Sequence, residues 1–351
     1  MKAALLGLAH PHTAPLLATL QYLPEISGIC LWDPEAGPDS HRAEFTGPKV
    51  VQWTTDLDAV LRQPDLIFAI VCVPTAQAAA LARRVLLAGK HLLAEKPVAL
   101  SSAEIAELEE LARRLGLVAS VLYPRRFHPC MVAAKALIGS GELGRLHTAE
   151  ARFLTTQVRF RSPDSWLFRR AQSGGGILLW LGCHSLDLLS YLTGDEIAAV
   201  GAQLATRSDA DIEVEDTAAL TLRFRSGAVG TLVAGYTLAY SGGGYLNRSG
   251  NDSYVGINCA HGRVVWPDLE PRLQVESPPQ GDRPAVRDET FLVPSSPCYS
   301  GFGGEIFFRQ FIAAVSGGGE PPTILGDAVR TARIVEAAEL SSRSGQFIVT
   351  P

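Results

Sequence analysis

Residues 66–73, Leu-Ile-Phe-Ala-Ile-Val-Cys-Val, are apolar at every position, and no other stretch constrains the fold as much. Eight such residues suit a strand covered on both faces, because a half-solvated strand alternates polar and apolar side chains. The flanking sequence extends the theme. An apolar run at 3–6 ends in Gly7 and leads to an amphipathic segment at 12–22, and a second run at 26–32 stops at Asp33-Pro34. A helical pattern at 35–45, a strand at 49–52 and a helix at 55–61 capped by Thr54 or Thr55 follow. Beyond 66–73 come a helix at 75–88 ending at Gly89, a strand at 91–94, a helix at 103–115 between Ser101 and Gly116, and a strand at 117–122. Serine before a helix and glycine after it are start and stop signals with a backbone cause. Strand–helix alternation at this spacing predicts a doubly wound parallel sheet.

The pattern changes after residue 123. A helix near 129–138 precedes a long strand at 146–158, a helix at 177–192, and strands at 198–206, 217–225 and 229–240, with Ser226-Gly227 as a turn. Long strands in succession predict a largely antiparallel sheet. Residues 241–256, rich in Gly, Ser, Asn and Tyr, and 277–301, rich in Pro and Ser, read as loops. Helices at 304–315 and 327–340 precede a short terminal strand. The expected division is a nucleotide-binding-type α/β domain over 1–122 and an α+β domain with an open sheet over 123–351.

The 351 residues are 47% hydrophobic and 19% charged, with a formal net charge of −5, enough apolar content for two cores and too little charge for a disordered chain. Without clustered Lys and Arg the chain is not expected to bind nucleic acid. Apolar run length and the short N-terminal stretch argue against a membrane span or a signal peptide. The cysteines at 30, 72, 130, 183, 259 and 298 form no C-x-x-C pair, so a reduced, cytoplasmic setting and no structural zinc are expected.

Gly7-Leu8-Ala9-His10-Pro11-His12 occupies the first strand-to-helix turn, where a G-x-G-x-x-G fingerprint would cradle a pyrophosphate. Ala9 and His12 replace the second and third glycines. Asp33, 26 positions after Gly7 at the end of the second strand, is placed to accept hydrogen bonds from both hydroxyls of an adenine ribose and to repel a 2′-phosphate. The expected cofactor is therefore NAD, with NADP less favoured. His10 and His12 have no carboxylate or cysteine cluster near them in sequence, so no metal site is expected.

Glu95-Lys96-Pro97 follows a strand directly, which puts Lys96, one of five lysines, at the carboxyl edge of the sheet where open α/β folds bind ligands. Gly174-Gly175-Gly176 opens the helix at 177–192 and offers a ligand close access to backbone N–H groups. Trp180, His184, Asp187 and Tyr191 follow one another at i,i+3 and i,i+4 spacing on that helix.

These motifs together resemble the glucose–fructose oxidoreductase/inositol dehydrogenase/MocA family. The resemblance is carried by Glu95-Lys96-Pro97 after Ala88-Gly89-Lys90-His91-Leu92-Leu93, and by Arg125-Arg126-Phe127-His128-Pro129 after Val121-Leu122-Tyr123. Trp166, Gly182-Cys183-His184-Ser185-Leu186-Asp187 and Gly304-Glu305…Phe308 add to it. It implies a Rossmann domain, a C-terminal domain whose sheet often joins copies into a homo-oligomer, and NAD(P)-dependent oxidation of a sugar or polyol hydroxyl. By the same resemblance Gly7, Ala9, His10, His12, Asp33, Pro74, Glu95 and Lys96 would bind cofactor. Tyr123, Arg126, Trp166, Trp180, His184 and Asp187 would line the substrate. Lys96 and His184 would be catalytic, the lysine stabilising the reacting oxygen and the imidazole exchanging its proton.

Three departures stand out: the incomplete glycine fingerprint, the absence of the family's Asn and His after Pro74, and Trp180 where the family has the carboxylate partner of its histidine. Asp187 or Tyr123 is a candidate for that partner's role. Two other readings remain open, an NAD-retaining hydrolase or lyase of the same fold and a non-catalytic nucleotide- or sugar-binding protein. Arg159, Arg161, Arg169 and Arg170 around Trp166 read as a solvated face or as ligands for a substrate anion.

Overall fold

The computed structural model describes residues 1–35, 45–239, 251–267, 270–279, 281 and 284–350. They form two compact units, Met1–Pro124 with Pro294–Val329, and Arg125–Val293 with Arg330–Pro351.

In the first unit β1 (Lys2–Leu6), α1 (Thr13–Tyr22), β2 (Gly28–Trp32), β3 (Val50–Thr54), α2 (Leu57–Leu61), β4 (Leu66–Val71), α3 (Thr75–Leu87), β5 (His91–Ala94), α4 (Ser102–Leu115) and β6 (Ala119–Val121) alternate as expected. The strands form one parallel sheet in the order β3-β2-β1-β4-β5-β6. That order reverses direction between β1 and β4, and ligands of such sheets settle at the carboxyl ends flanking the reversal. In β4 the residues from Phe68 to Val71 are essentially inaccessible, the burial that the unbroken apolar run demands. Ser101 and Glu104 form a reciprocal capping box at the start of α4, and Gly116 ends it with φ 64°. The helix expected at 35–45 falls mostly on 36–44, outside the described residues. The helix expected at 55–61 is shorter and is capped by Asp56, whose carboxylate accepts the Ala59 N–H at 3.0 Å. Thr54 instead accepts the Asp56 N–H, which leaves it outside the helix.

The second unit contains α5 (Pro129–Gly139), β7 (Leu146–Thr156), α6 (Arg170–Ser173), a π-helical turn at Leu178–Gly182, α7 (Cys183–Thr193), β8 (Ile197–Ala205), β9 (Thr217–Phe224) and β10 (Val229–Leu238). It continues with β11 (Asn251–Cys259), β12 (Gly262–Pro267), β13 (Arg272–Glu276) and β14 (Val286–Thr290). The chain ends with α8 (Gly301–Val315), α9 (Leu325–Ser344) and β15 (Ile348–Val349). Nine strands form an open sheet in the order β14-β13-β12-β11-β7-β10-β9-β8-β15. All neighbours are antiparallel except β7 and β10. Residues 251–256, expected in a loop, begin β11 and pair with β7; 241–250 lie outside the described residues. Residues 286–290 are likewise a strand, held by β13. The Gly, Ser and Asn of 251–256 lower local strand preference, but pairing supplies the backbone partners and Val255 and Ile257 supply burial. One sheet face carries Phe153, Leu220, Leu222 and Leu232 into a core shared with Ile177, Leu178, Leu186 and Leu189. The apolar stretch Arg170–Thr193 is long enough to cross a membrane by length and composition alone, yet 83% of its most apolar window is buried in the protein.

The segment Pro294–Val329 belongs with the first unit, so the chain returns to it after the second begins at Arg125. The cause is apolar. Phe307, Phe308 and Phe311 on α8 are fully buried, and Phe311 meets Phe68 of β4 edge-on at 5.1 Å. Thr323 adds a polar clamp, its hydroxyl accepting the Val121 N–H at 3.2 Å.

Candidate functional site

In the first unit the predicted cofactor residues gather at the strand ends. Gly7 has φ 102°, and a Cβ there would lie 2.4 Å from the Cys72 carbonyl oxygen, so only glycine fits between β1 and β4. Its N–H donates to the Trp32 carbonyl at 2.8 Å. Asp33 follows β2 and accepts the Leu8 N–H at 2.7 Å through Oδ2 and the Glu35 N–H at 2.9 Å through Oδ1. One carboxylate thus ties the first turn to the end of the second strand. Each of its oxygens retains a lone pair for a further donor. Ala9 is exposed at the turn, and Pro74 caps α3 directly after β4.

His12 opens α1, its backbone N–H bonded to His10 Nδ1 at 3.1 Å. Its own Nδ1 lies 2.8 Å from Glu95 Oε1 and 3.1 Å from the Tyr299 hydroxyl. Glu95 Oε2 accepts the Lys96 backbone N–H at 2.8 Å. Glu95 is 3% exposed and Lys96 1%. Burial pushes the Glu95 carboxyl up, but His12 beside it and its hydrogen bond, with Lys96 and His10 in support, outweigh burial and bring it down to about 2. Burial holds His10 well below the usual imidazole range and Cys72 well above the usual thiol range. Ring and carboxylate atoms of His10, His12 and Glu95 lie within 4.8 Å of one another. The carboxylate missing near the histidines in sequence is therefore supplied by the fold. Tyr123, buried at the end of the same unit, follows β6.

The remaining predicted residues belong to the second unit. Arg126 grips both carboxylate oxygens of Asp187 and lies 5.0 Å over the Tyr191 ring. Asp187, 3% exposed, is thereby committed to an arginine, whichever partner His184 has. His184 is buried on α7. Trp180 is buried too and packs edge-on against Trp166, with ring centroids 5.7 Å apart. The π turn closes i→i+5 bonds, so the i,i+4 register expected between Trp180 and His184 begins only at Cys183. Such widened turns occur often at functional positions.

Sequence reasoning missed two residues. Glu215 accepts the Gly176 N–H at 2.9 Å and the Leu178 N–H at 3.2 Å, and its backbone carbonyl accepts Ile177 N–H. The N–H groups expected to face a ligand are thus taken by a carboxylate of the chain. A Cβ on Gly176 would stand 1.9 Å from the Glu215 carbonyl oxygen, which explains the glycine. Burial raises the Glu215 carboxyl, against the pull of these N–H donors. Tyr299 is the other, hidden in the stretch read as a loop, 287 positions from its partner His12. Among the surface arginines, Arg169 neighbours Asp164, Asp211 and Glu213, and Arg170 neighbours Glu215 and Glu339. Both fit the solvated-face reading.

A parallel sheet with a dinucleotide-type first turn, followed by an open antiparallel sheet, defines a Rossmann-fold oxidoreductase architecture. The family comparisons agree with it at both ends. Residues 2–123 match the GFO/IDH/MocA oxidoreductase family profile for its NAD-binding Rossmann fold, and residues 131–264 match a GFO/IDH/MocA C-terminal domain. The chain belongs to this family. An uncharacterized oxidoreductase, YrbE, of Bacillus subtilis is 30% identical over 55% of this chain and 54% of its own. A dTDP-3,4-didehydro-2,6-dideoxy-alpha-D-glucose 3-reductase of Streptomyces violaceoruber is 32% identical over 66% of this chain and 61% of its own. The matches thus span about half to three-fifths of these curated relatives. The solved complex of levoglucosan dehydrogenase with NADH and levoglucosan shares the fold over 100% of this chain and 99% of its own, at TM-score 0.84 and 23% identity.

Proposed function

We propose that the protein is a dehydrogenase that exchanges a hydride between NAD and a secondary hydroxyl of a sugar, polyol or sugar derivative. The observation that carries this reading is Lys96. It is a lysine at the carboxyl end of β5, 1% exposed, with its backbone N–H held by the neighbouring carboxylate. Burying an ammonium group is costly, so a fold that does it without a functional return is unusual.

The residues present fit NAD. Gly7 permits the tight turn, exposed Ala9 adds only a methyl beside the diphosphate path, and Asp33 stands where ribose hydroxyls are read, next to the turn it braces. Asp33 also disfavours the 2′-phosphate of NADP. Bound NAD supplies the hydride acceptor. Lys96 donates to the reacting oxygen and stabilises alkoxide charge as it develops, and His184 exchanges the hydroxyl proton. Trp166, Trp180, Tyr123 and the Arg126–Asp187 pair shape the substrate side. We read the His10–His12–Glu95 cluster as a hydrogen-bonded group, since His12 Nδ1 lies within hydrogen-bond reach of Glu95 and Tyr299.

The relatives' names, a keto-sugar reductase and levoglucosan dehydrogenase, support the carbohydrate class. We extend the reading to a homo-oligomer through the outward face of the nine-stranded sheet, where Val229 and Val233 are 54% and 40% exposed. The six free cysteines suit a reducing cytoplasm.

The test mixes the purified protein with NAD or NADP and a panel of sugars, polyols and their keto forms, following reduced nicotinamide by absorbance. Lys96→Ala should lower kcat by ~10²–10³, the usual loss for one donor to a developing oxyanion. Unchanged turnover in that variant, or no nicotinamide binding in the unmutated protein, would overturn the reading.

A further inference from the structure

His12 is the residue the dinucleotide fingerprint does not account for, since that position favours glycine for close helix packing. The structure shows what it does instead. With its proton on Nδ1, His12 donates to Glu95 Oε1 at 2.8 Å, and the Tyr299 oxygen lies 3.1 Å from the same nitrogen. The two rings tilt against each other with centroids 4.9 Å apart. The other oxygen of Glu95 takes the Lys96 backbone N–H. The single His12 Nδ1–H is therefore shared between two acceptors, Glu95 Oε1 and the Tyr299 oxygen, and Glu95 carries the contact on to the peptide of Lys96. All four residues lie in the first unit, and His12, Glu95 and Lys96 are at most 8% exposed.

Tyr299 is placed by independent local constraints. Its backbone N–H donates to the Thr19 hydroxyl of α1 at 2.7 Å. Ser300, next in the chain, is the one described non-glycine residue with a left-handed backbone, at φ 65°. A serine there is strained, and such strain persists only where the surroundings impose it. Gly304 of α8 lets the Tyr299 carbonyl come so near that a Cβ would stand 1.7 Å from its oxygen. The glycine of the Gly304-Glu305 motif thus has a specific task, which is to seat residue 299.

We infer that His12 and Tyr299 are positioning residues for Lys96, acting through the Glu95 carboxylate to fix the backbone from which the lysine side chain departs. This rests on the reading of Lys96 given above. Neither residue needs to touch the reacting atoms. With Glu95 held from one side by His12, its second oxygen has a fixed place for the Lys96 N–H, and the ammonium is pre-organised rather than mobile. Pre-organisation of a donor is worth rate, because a misplaced charge must be moved during the reaction.

The test needs no known substrate. The chain has only five lysines, at 2, 49, 90, 96 and 135, so reductive methylation with formaldehyde and cyanoborohydride can be followed residue by residue by peptide mass spectrometry. Lys90 is the internal control for general loosening. It lies in the same unit, is 9% exposed and donates to the Gln63 and Leu66 carbonyls. His12→Ala is the obvious variant and risks misfolding, so Tyr299→Phe, which removes one oxygen, and His12→Gln are used beside it. Both should raise the methylation rate of Lys96 relative to Lys49 by about threefold or more, the signature of local rather than global opening, with Lys90 unchanged. An unchanged Lys96 rate, or Lys96 and Lys90 rising together, would overturn the inference. On any panel sugar that is turned over, Tyr299→Phe should lower kcat about tenfold with KM for NAD within about twofold, and should add nothing in a Lys96→Ala background. A multiplicative loss in that background would overturn the inference. Normal turnover by Lys96→Ala alone would instead overturn the catalytic reading, leaving the methylation result to stand or fall separately.

Discussion

Replacing Glu95 by glutamine removes one charge and almost no volume, so it isolates the electrostatic part of the buried network. The carboxyl is brought from 4.5 to about 2 in the folded chain, against the upward push of burial. At 1.36 kcal/mol per unit, that preference for the carboxylate is worth about 3 kcal/mol of folding stability. Because the folded value lies below the unfolded one, the contribution is complete above pH ~4.5 and is lost as pH falls through the folded value near 2. Glutamine cannot titrate. At neutral pH the Glu95→Gln variant should therefore be less stable by about 3 kcal/mol, a Tm lower by roughly 6–12 °C for a unit of this size. As the solution is acidified below pH ~4.5 the two proteins should converge, because the unmutated chain is losing the same term. Thermal unfolding at a series of pH values measures both quantities. A difference that stays constant from pH 7 to pH 3, or that is near zero throughout, would show that Glu95 gains nothing from being ionised and refute the reasoning.

Two further outcomes follow from other contacts. Asp33→Ala should narrow the preference for NADH over NADPH, from at least about tenfold toward parity, in a fluorescence titration, since the carboxylate that repels a 2′-phosphate is gone; equal affinities before mutation would contradict the assignment. Arg126→Ala leaves Asp187 buried without its cation and should cost about 3–5 kcal/mol, most of it recovered by adding Asp187→Asn, as read from urea unfolding of the two variants.

Much of the first unit could be read along the chain because its signals are local. An unbroken apolar run, Ser101 three residues before Glu104, and glycines at 7 and 116 each act on backbone within a few residues, so composition and spacing suffice. The same holds for the position of Lys96 after a strand and of Asp33 after another. What spacing could not supply is pairing over long separations. Residues 251–256 read as a loop from their own Gly, Ser and Asn, and 286–290 from the Pro- and Ser-rich stretch around them; both are strands because β7 and β13 offer them backbone partners. The glycine run at 174–176 looked open to a ligand until Glu215, 39 positions away from Gly176, filled it. His12 looked like damage to a fingerprint, and only the fold shows it facing a carboxylate 83 positions on and a tyrosine 287 positions on. The sequence by itself determined most of the described strands and helices in the alternating third and which residue types stand at the sheet's carboxyl edge. The tertiary structure decided which of those groups are joined, because hydrogen bonds and ion pairs depend on distances that only chain return can set.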